Sequence, residues 1–119
     1  MELEAIRQQI AEFGDRAYLV TVTDDQRPHV VSAVVRLGGD HLVVGAGRRT
    51  RANLAARPMV TLLWPPVTDD GEYSLLVDGT VDLPIAEECD VAITPTSAVL
   101  HRVAGAAGDG PNCLPVGAD

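Results

Sequence analysis

The chain has 119 residues and a formal net charge of -8 at pH 7, from 17 acidic side chains against nine basic ones, all of them arginine. That length allows one domain with a real core, and a pI near 4.6 argues against a nucleic-acid partner, whose phosphates call for a basic face. No apolar run approaches the ~20 residues of a membrane span, and Met1-Glu-Leu-Glu lacks the basic start of a signal peptide, so the expected location is the cytoplasm.

Leu3, Ile6, Ile10 and Phe13 fall on one helical face, and Gly14-Asp15 follows as a stop, so the chain should open with an amphipathic helix. Residues 17–23 read as a strand, and Asp24 to Pro28 turn the chain into a second one, His29 to Leu37. Gly38-Gly39-Asp40 then folds His41 to Gly45 back as a third strand. A short helix runs through Arg57, and Pro58 breaks it. Met59 to Trp64 make a fourth strand ended by Pro65-Pro66. Asp69-Asp70-Gly71 reads as a solvated loop. Tyr73 to Leu83 make a fifth strand, in which Gly79 marks a bulge or a close approach of backbone. Pro84-Ile-Ala-Glu87-Glu88 turns the chain. Asp90 to Thr94 and Ser97 to Val103 form a last strand kinked at Pro95.

Hydrophobic residues make up 46% of the chain but aromatics only 3%, so the core must be aliphatic, which favours strands. The fold class is therefore mainly β: six antiparallel strands with an N-terminal helix and one short helix after the third strand. Closure into a barrel removes the edges that so many Val-rich strands would expose; a sandwich is the alternative. Residues 1–104 form this domain and 105–119 a flexible tail, with docking of the Cys113-Leu-Pro-Val end left open.

The richest segment is Gly45-Ala-Gly-Arg-Arg-Thr-Arg-Ala-Asn-Leu-Ala-Ala-Arg-Pro58, which gathers four of the nine basic residues behind an apolar strand. Arg48, Arg49 and Arg51 run against the acidic field of the whole chain. If Thr50 or Asn53 lies near the start of the helix, free N–H groups, the helix dipole and guanidinium forks converge there on a small anion such as a phosphate. Solvated arginines paired with nearby carboxylates are the plainer reading.

Other constellations point away from protein-borne chemistry. His29, His41 and His101 lie on three strands with no ligand spacing, and Cys89 and Cys113 have none either, so no metal site is expected. The cysteines read as one buried small residue and one tail thiol. Asp24-Asp25, Asp69-Asp70 and Glu87-Glu88 are adjacent pairs that serve turns and solvation. No nucleophile triad, P-loop or Rossmann glycine pattern is present. Trp64 suits a core or interface anchor better than a ring-stacking residue.

The order of helix, strand, the Arg27-Pro-His-Val-Val31 hairpin, the Gly45 to Leu54 segment with Pro58 four residues on, and a Leu76-Val-Asp-Gly-Thr80 strand resembles the pyridoxamine 5'-phosphate oxidase-like, FMN-binding split β-barrel proteins over residues 17–103. The resemblance implies a homodimer with flavin in a groove between subunits, its phosphate at the basic corner and its ring against the second and third strands. It assigns Arg48, Arg49 and Thr50 to the phosphate corner and Asn53 to the motif's Asn before Leu. It places the backbone of Val31 and Ser32 against the isoalloxazine, and Gly45 and Ala46 where the strand passes close to it. Thr50 stands where many relatives carry Lys. The resemblance allows FMN or the deazaflavin F420, and implies a flavin-dependent oxidoreductase acting on a small substrate, whose hydride chemistry needs no protein nucleophile. The alternatives are a non-enzymatic carrier or sensor of flavin, haem or another anionic ligand, and a structural dimerisation module whose arginines pair with acids across an interface.

Overall fold

A computed structural model describes residues 2–68, 71–85, 90–106, 108 and 110–117; Asp69, Asp70, Glu87, Glu88 and Cys89, singled out above, lie outside the described residues. Chain order is α1 (Leu3–Phe13), β1 (Arg16–Val22), β2 (Pro28–Leu37), β3 (Leu42–Val44), α2 (Arg48–Ala56), β4 (Met59–Trp64), β5 (Tyr73–Val81), β6 (Val91–Arg102) and β7 (Cys113–Pro115). Six strands in the order β3-β2-β1-β4-β5-β6 form an antiparallel barrel, closed by the pairs Leu42↔Ile93, Val43↔Ala92 and Val44↔Val91. No helix among the described residues is long and apolar enough to cross a membrane.

The alternation of β1 explains its place. Ala17, Leu19 and Thr21 point into the barrel and are buried, while Tyr18 and Val22 stand outside. On α1 the i, i+4 pair Ile6 and Ile10 is buried, and Gly14 takes a left-handed φ of 98°, its N–H donating to Ile10 O at 2.8 Å. Trp64 is fully buried and donates from Nε1 to Gly14 O at 2.9 Å, so this ring anchors the core and the end of α1 together. Leu19, Leu42, Leu54, Leu62, Leu75 and Ile93 complete an aliphatic interior.

Gly79 is a close approach. A Cβ there would lie 2.5 Å from Ile93 Cγ2 and 2.8 Å from Thr94 O. The β5–β6 register shifts at this point, with Asp78 opposite Ser97 and Gly79 opposite Pro95, leaving Thr96 unmatched. The expected kink in the last strand is a bulge within one continuous β6, where the missing N–H of Pro95 is tolerated. Strand β5 stops at Val81 rather than Leu83, short of Pro84, which has no N–H to give to a ladder. Strand β3 has three residues, shorter than the expected 41–45.

The Cys113 end docks. Strand β7 pairs with the second half of β6 through Val99↔Pro115 and His101↔Cys113. Val116 is buried and its N–H donates to Ala98 O at 2.9 Å, while Gly117 O accepts from Glu2 N–H at 2.8 Å. Before it, Arg102 Nη2 donates to Ala106 O and Gly108 O, both at 2.7 Å, and Tyr73 OH to Pro111 O at 2.8 Å.

Candidate functional site

Strand β3 delivers the chain to Gly45-Ala46-Gly47, and Gly47 occupies the N-cap of α2 without a side-chain cap. The first intrahelical bond runs from Arg51 N–H to Gly47 O at 3.0 Å. The N–H groups of Arg48, Arg49 and Thr50 therefore have no acceptor within the helix, and the positive end of the helix dipole is open to an anion. Arg48 and Arg49 are exposed on this first turn and make no ion pair among the described residues. Arg51 folds back, its Nε donating to Ala46 O at 2.8 Å, and so fixes the loop that leads into the helix.

Thr50 and Asn53 are on the other side of α2. With Leu54 they form an i, i+3, i+4 set turned toward the barrel, Thr50 at 1% and Asn53 at 7% exposure. Asn53 Nδ2 donates to Thr21 Oγ1 at 3.0 Å, and Arg57 ties the far end of α2 to the hairpin through Val22 O (3.2 Å) and Asp24 (2.6 Å). These residues seat the helix; the exposed arginines face outward from it.

Val31 and Ser32 are placed elsewhere on the same surface. Strand β3 pairs only with Val35, Arg36 and Leu37 of β2, so from Pro28 to Val34 the edge of β2 away from β1 has no partner strand among the described residues. Val31 lies four residues from Val35, about 13 Å along the strand. Val31 is half-buried against the core, whereas Ser32 is exposed. An elongated ligand could span from this free edge to the first turn of α2; a lone phosphate could not.

Sequence reading missed Arg36 and Asp90. They are 54 residues apart and form an ion pair across the outer face of β3, beside Gly45. Only the barrel register brings them together. Beyond Asp90 lies an open groove of about 420 Å³ lined in part by Asp40, His41, Asp82 and Thr94. There His41 Nδ1 is 3.0 Å from Asp40 Oδ1, and this hydrogen bond, ahead of the charge of the ring, holds the Asp40 carboxyl below its ordinary value. Among the described residues no group of three or more His, Cys, Asp or Glu side chains could hold a metal ion. His29 faces inward opposite Thr21, with Nδ1 buried and without a hydrogen-bond partner among the described residues.

A small closed antiparallel barrel with a helix after its third strand, open along one edge of β2, is the pyridoxamine 5'-phosphate oxidase-like split-barrel fold. Solved structures share it: an F420 reductase (20% identity, TM-score 0.56, 70% of this chain and 87% of that one) and HutZ, the haem storage protein of Vibrio cholerae (14%, TM-score 0.61, 84% and 95%). A Clostridium acetobutylicum protein related to general stress protein 26, of the pyridoxinephosphate oxidase family, also shares it (11%, TM-score 0.61, 86% and 91%). No protein-family model matches the chain. It belongs to the same family as two uncharacterized mycobacterial proteins, Mb0449c of Mycobacterium bovis and MT0457 of Mycobacterium tuberculosis, each 41% identical over 100 residues, covering 72% of this chain and 70% of theirs.

Proposed function

We propose that the chain is a cytoplasmic, homodimeric, flavin-dependent oxidoreductase that binds FMN, or alternatively F420, and acts on a small substrate. The observation that carries this reading is the meeting of an uncapped helix N-terminus with Arg48 and Arg49, which make no ion pair among the described residues, in a split barrel whose net charge is -8. Guanidinium forks and free N–H groups suit a phosphate. Gly45 and Ala46 carry little or no side chain and let a ligand approach the strand. The free edge of β2 at Val31 and Ser32 offers unpaired backbone groups to the polar rim of a planar ring. Thr50 and Asn53 contribute by seating α2.

A bound flavin or deazaflavin would supply hydride transfer; this chain binds, orients and tunes it. The outer face of β1, β2 and β4 supports self-association, because Tyr18, Val22, Val30, Val34 and Met59 are 39–65% exposed on it and an apolar groove of about 440 Å³ runs beside Val20 and Met59. A second reading, a carrier or sensor that turns nothing over, draws on the likeness to HutZ.

The test is titration of purified protein with FMN and F420, followed by absorbance and melting temperature. Binding at 100 times Kd raises stability by about 2.7 kcal/mol, and Arg49→Ala removes about 1.5 to 3 kcal/mol of affinity. A flat response to both ligands refutes the reading. Consumption of a reductant separates enzyme from carrier, and an Arg49→Ala dimer that weakens while titrations stay flat indicates a structural role.

A further inference from the structure

Arg36 stands on the outer row of β2 opposite Val43, and its Nη2 reaches across β3 to Asp90 Oδ2. Continuing the β3–β6 register one step past Val44↔Val91 sets Gly45 opposite Asp90. The other oxygen of that carboxylate, Oδ1, is 3.9 Å from where a Cβ at Gly45 would lie. The ion pair therefore spans the strand end that opens into the loop before Arg48. Its side chains are 63% and 47% exposed, so the contact is solvated and readily exchanged.

We propose that Arg36 is a further cation of the anion-binding corner and that Asp90 competes for it: a phosphate entering beside Gly45 takes the guanidinium from the Asp90 carboxylate. This rests on the cofactor reading above. A guanidinium offers five N–H donors in a fixed fork, and a phosphate engages two of them at once. Because Asp90 is anionic, it opposes any anion at Gly45 even when Arg36 is displaced, so its removal should tighten binding. The phosphate can be a cofactor monoester or the free ion, and the two are separated by experiment.

FMN, F420, riboflavin (the ring of FMN without its phosphate) and inorganic phosphate are titrated into wild type, Asp90→Asn, Arg36→Ala and Arg49→Ala. Both exposed sites should tolerate substitution, with melting temperatures within about 2 °C of wild type. Asp90→Asn should bind FMN about 3- to 10-fold more tightly and riboflavin equally well; Arg36→Ala should bind FMN about 10-fold more weakly. Gains confined to FMN identify the cofactor monoester, and equal gains for inorganic phosphate identify the bare ion. FMN affinity that falls in Arg49→Ala but is unchanged or weakened in Asp90→Asn overturns the proposal and leaves the cofactor reading standing. Phosphate affinity that rises in Asp90→Asn while FMN and F420 bind no variant does the reverse. Absence of binding by every ligand overturns both.

Discussion

The bond from Asn53 to Thr21 decides how α2 is held, and a double-mutant cycle measures it. Asn53→Ala removes the donor and leaves Thr21 Oγ1, in a side chain only 1% exposed, without its partner. The lost bond is worth about 1 kcal/mol and the orphaned hydroxyl adds to it, giving a total of about 2 kcal/mol. For a domain of this size that lowers the melting temperature by roughly 8 °C. Thr21→Val alone strands the Asn53 amide and should cost about 1 to 2 kcal/mol. If the two act through one bond, the double variant loses about 1 kcal/mol less than the sum of the singles. Arg57 still ties the helix end to Val22 O and Asp24, so α2 loosens without detaching. Thermal or urea unfolding of the four proteins provides the energies. Coupling within about 0.3 kcal/mol of zero refutes the idea that this bond seats the helix. A loss of FMN affinity in Asn53→Ala larger than in Arg49→Ala would instead mark Asn53 as a direct ligand contact.

Three further outcomes follow from the geometry. Gly79→Ala forces a methyl group to 2.5 Å from Ile93 Cγ2 and should destabilise by about 1 to 3 kcal/mol, read by chemical denaturation. Trp64→Phe keeps most of the apolar burial but loses the bond to Gly14 O, for about 1 to 2 kcal/mol, and the end of α1 should exchange its amides faster. Asp40 should titrate below the ordinary carboxylate range by NMR, and His41→Leu should return it toward that range. Because the folded-state value is depressed, the contribution is present above the unfolded value and lost as pH falls through the folded one. The stability gap between wild type and His41→Leu should therefore narrow on acidification.

Features set by local pattern were legible in the sequence. The spacing of Ile6 and Ile10 marks the buried face of α1, and Gly79 inside a strand of alternating apolar residues signals a place with no room for a side chain. Asn53 and Thr50 show a second role that the period carries beside the motif. Their i, i+3 spacing with Leu54 at i+4 puts all three side chains on the face that rests on the barrel, a signal available in the sequence beside their closeness to the arginines. Arg36 and Asp90 carry no such signal, since their contact depends on how β3 closes onto β6. Strand β7 was equally hidden: three residues including a proline, behind a glycine-rich stretch, have no periodicity to read.

Barrel closure at β3 and β6 rests on three residue pairs, whereas β5 and β6 pair along almost their whole length. Spontaneous opening should begin at the thinner seam, making the β3 amides that face β6 among the first in the sheet to exchange with deuterium. That seam adjoins Gly45, so an occupant clamped there would act as an added rivet. Deuterium uptake at the β3 amides that face β6 would then report occupancy without any colour change in the ligand.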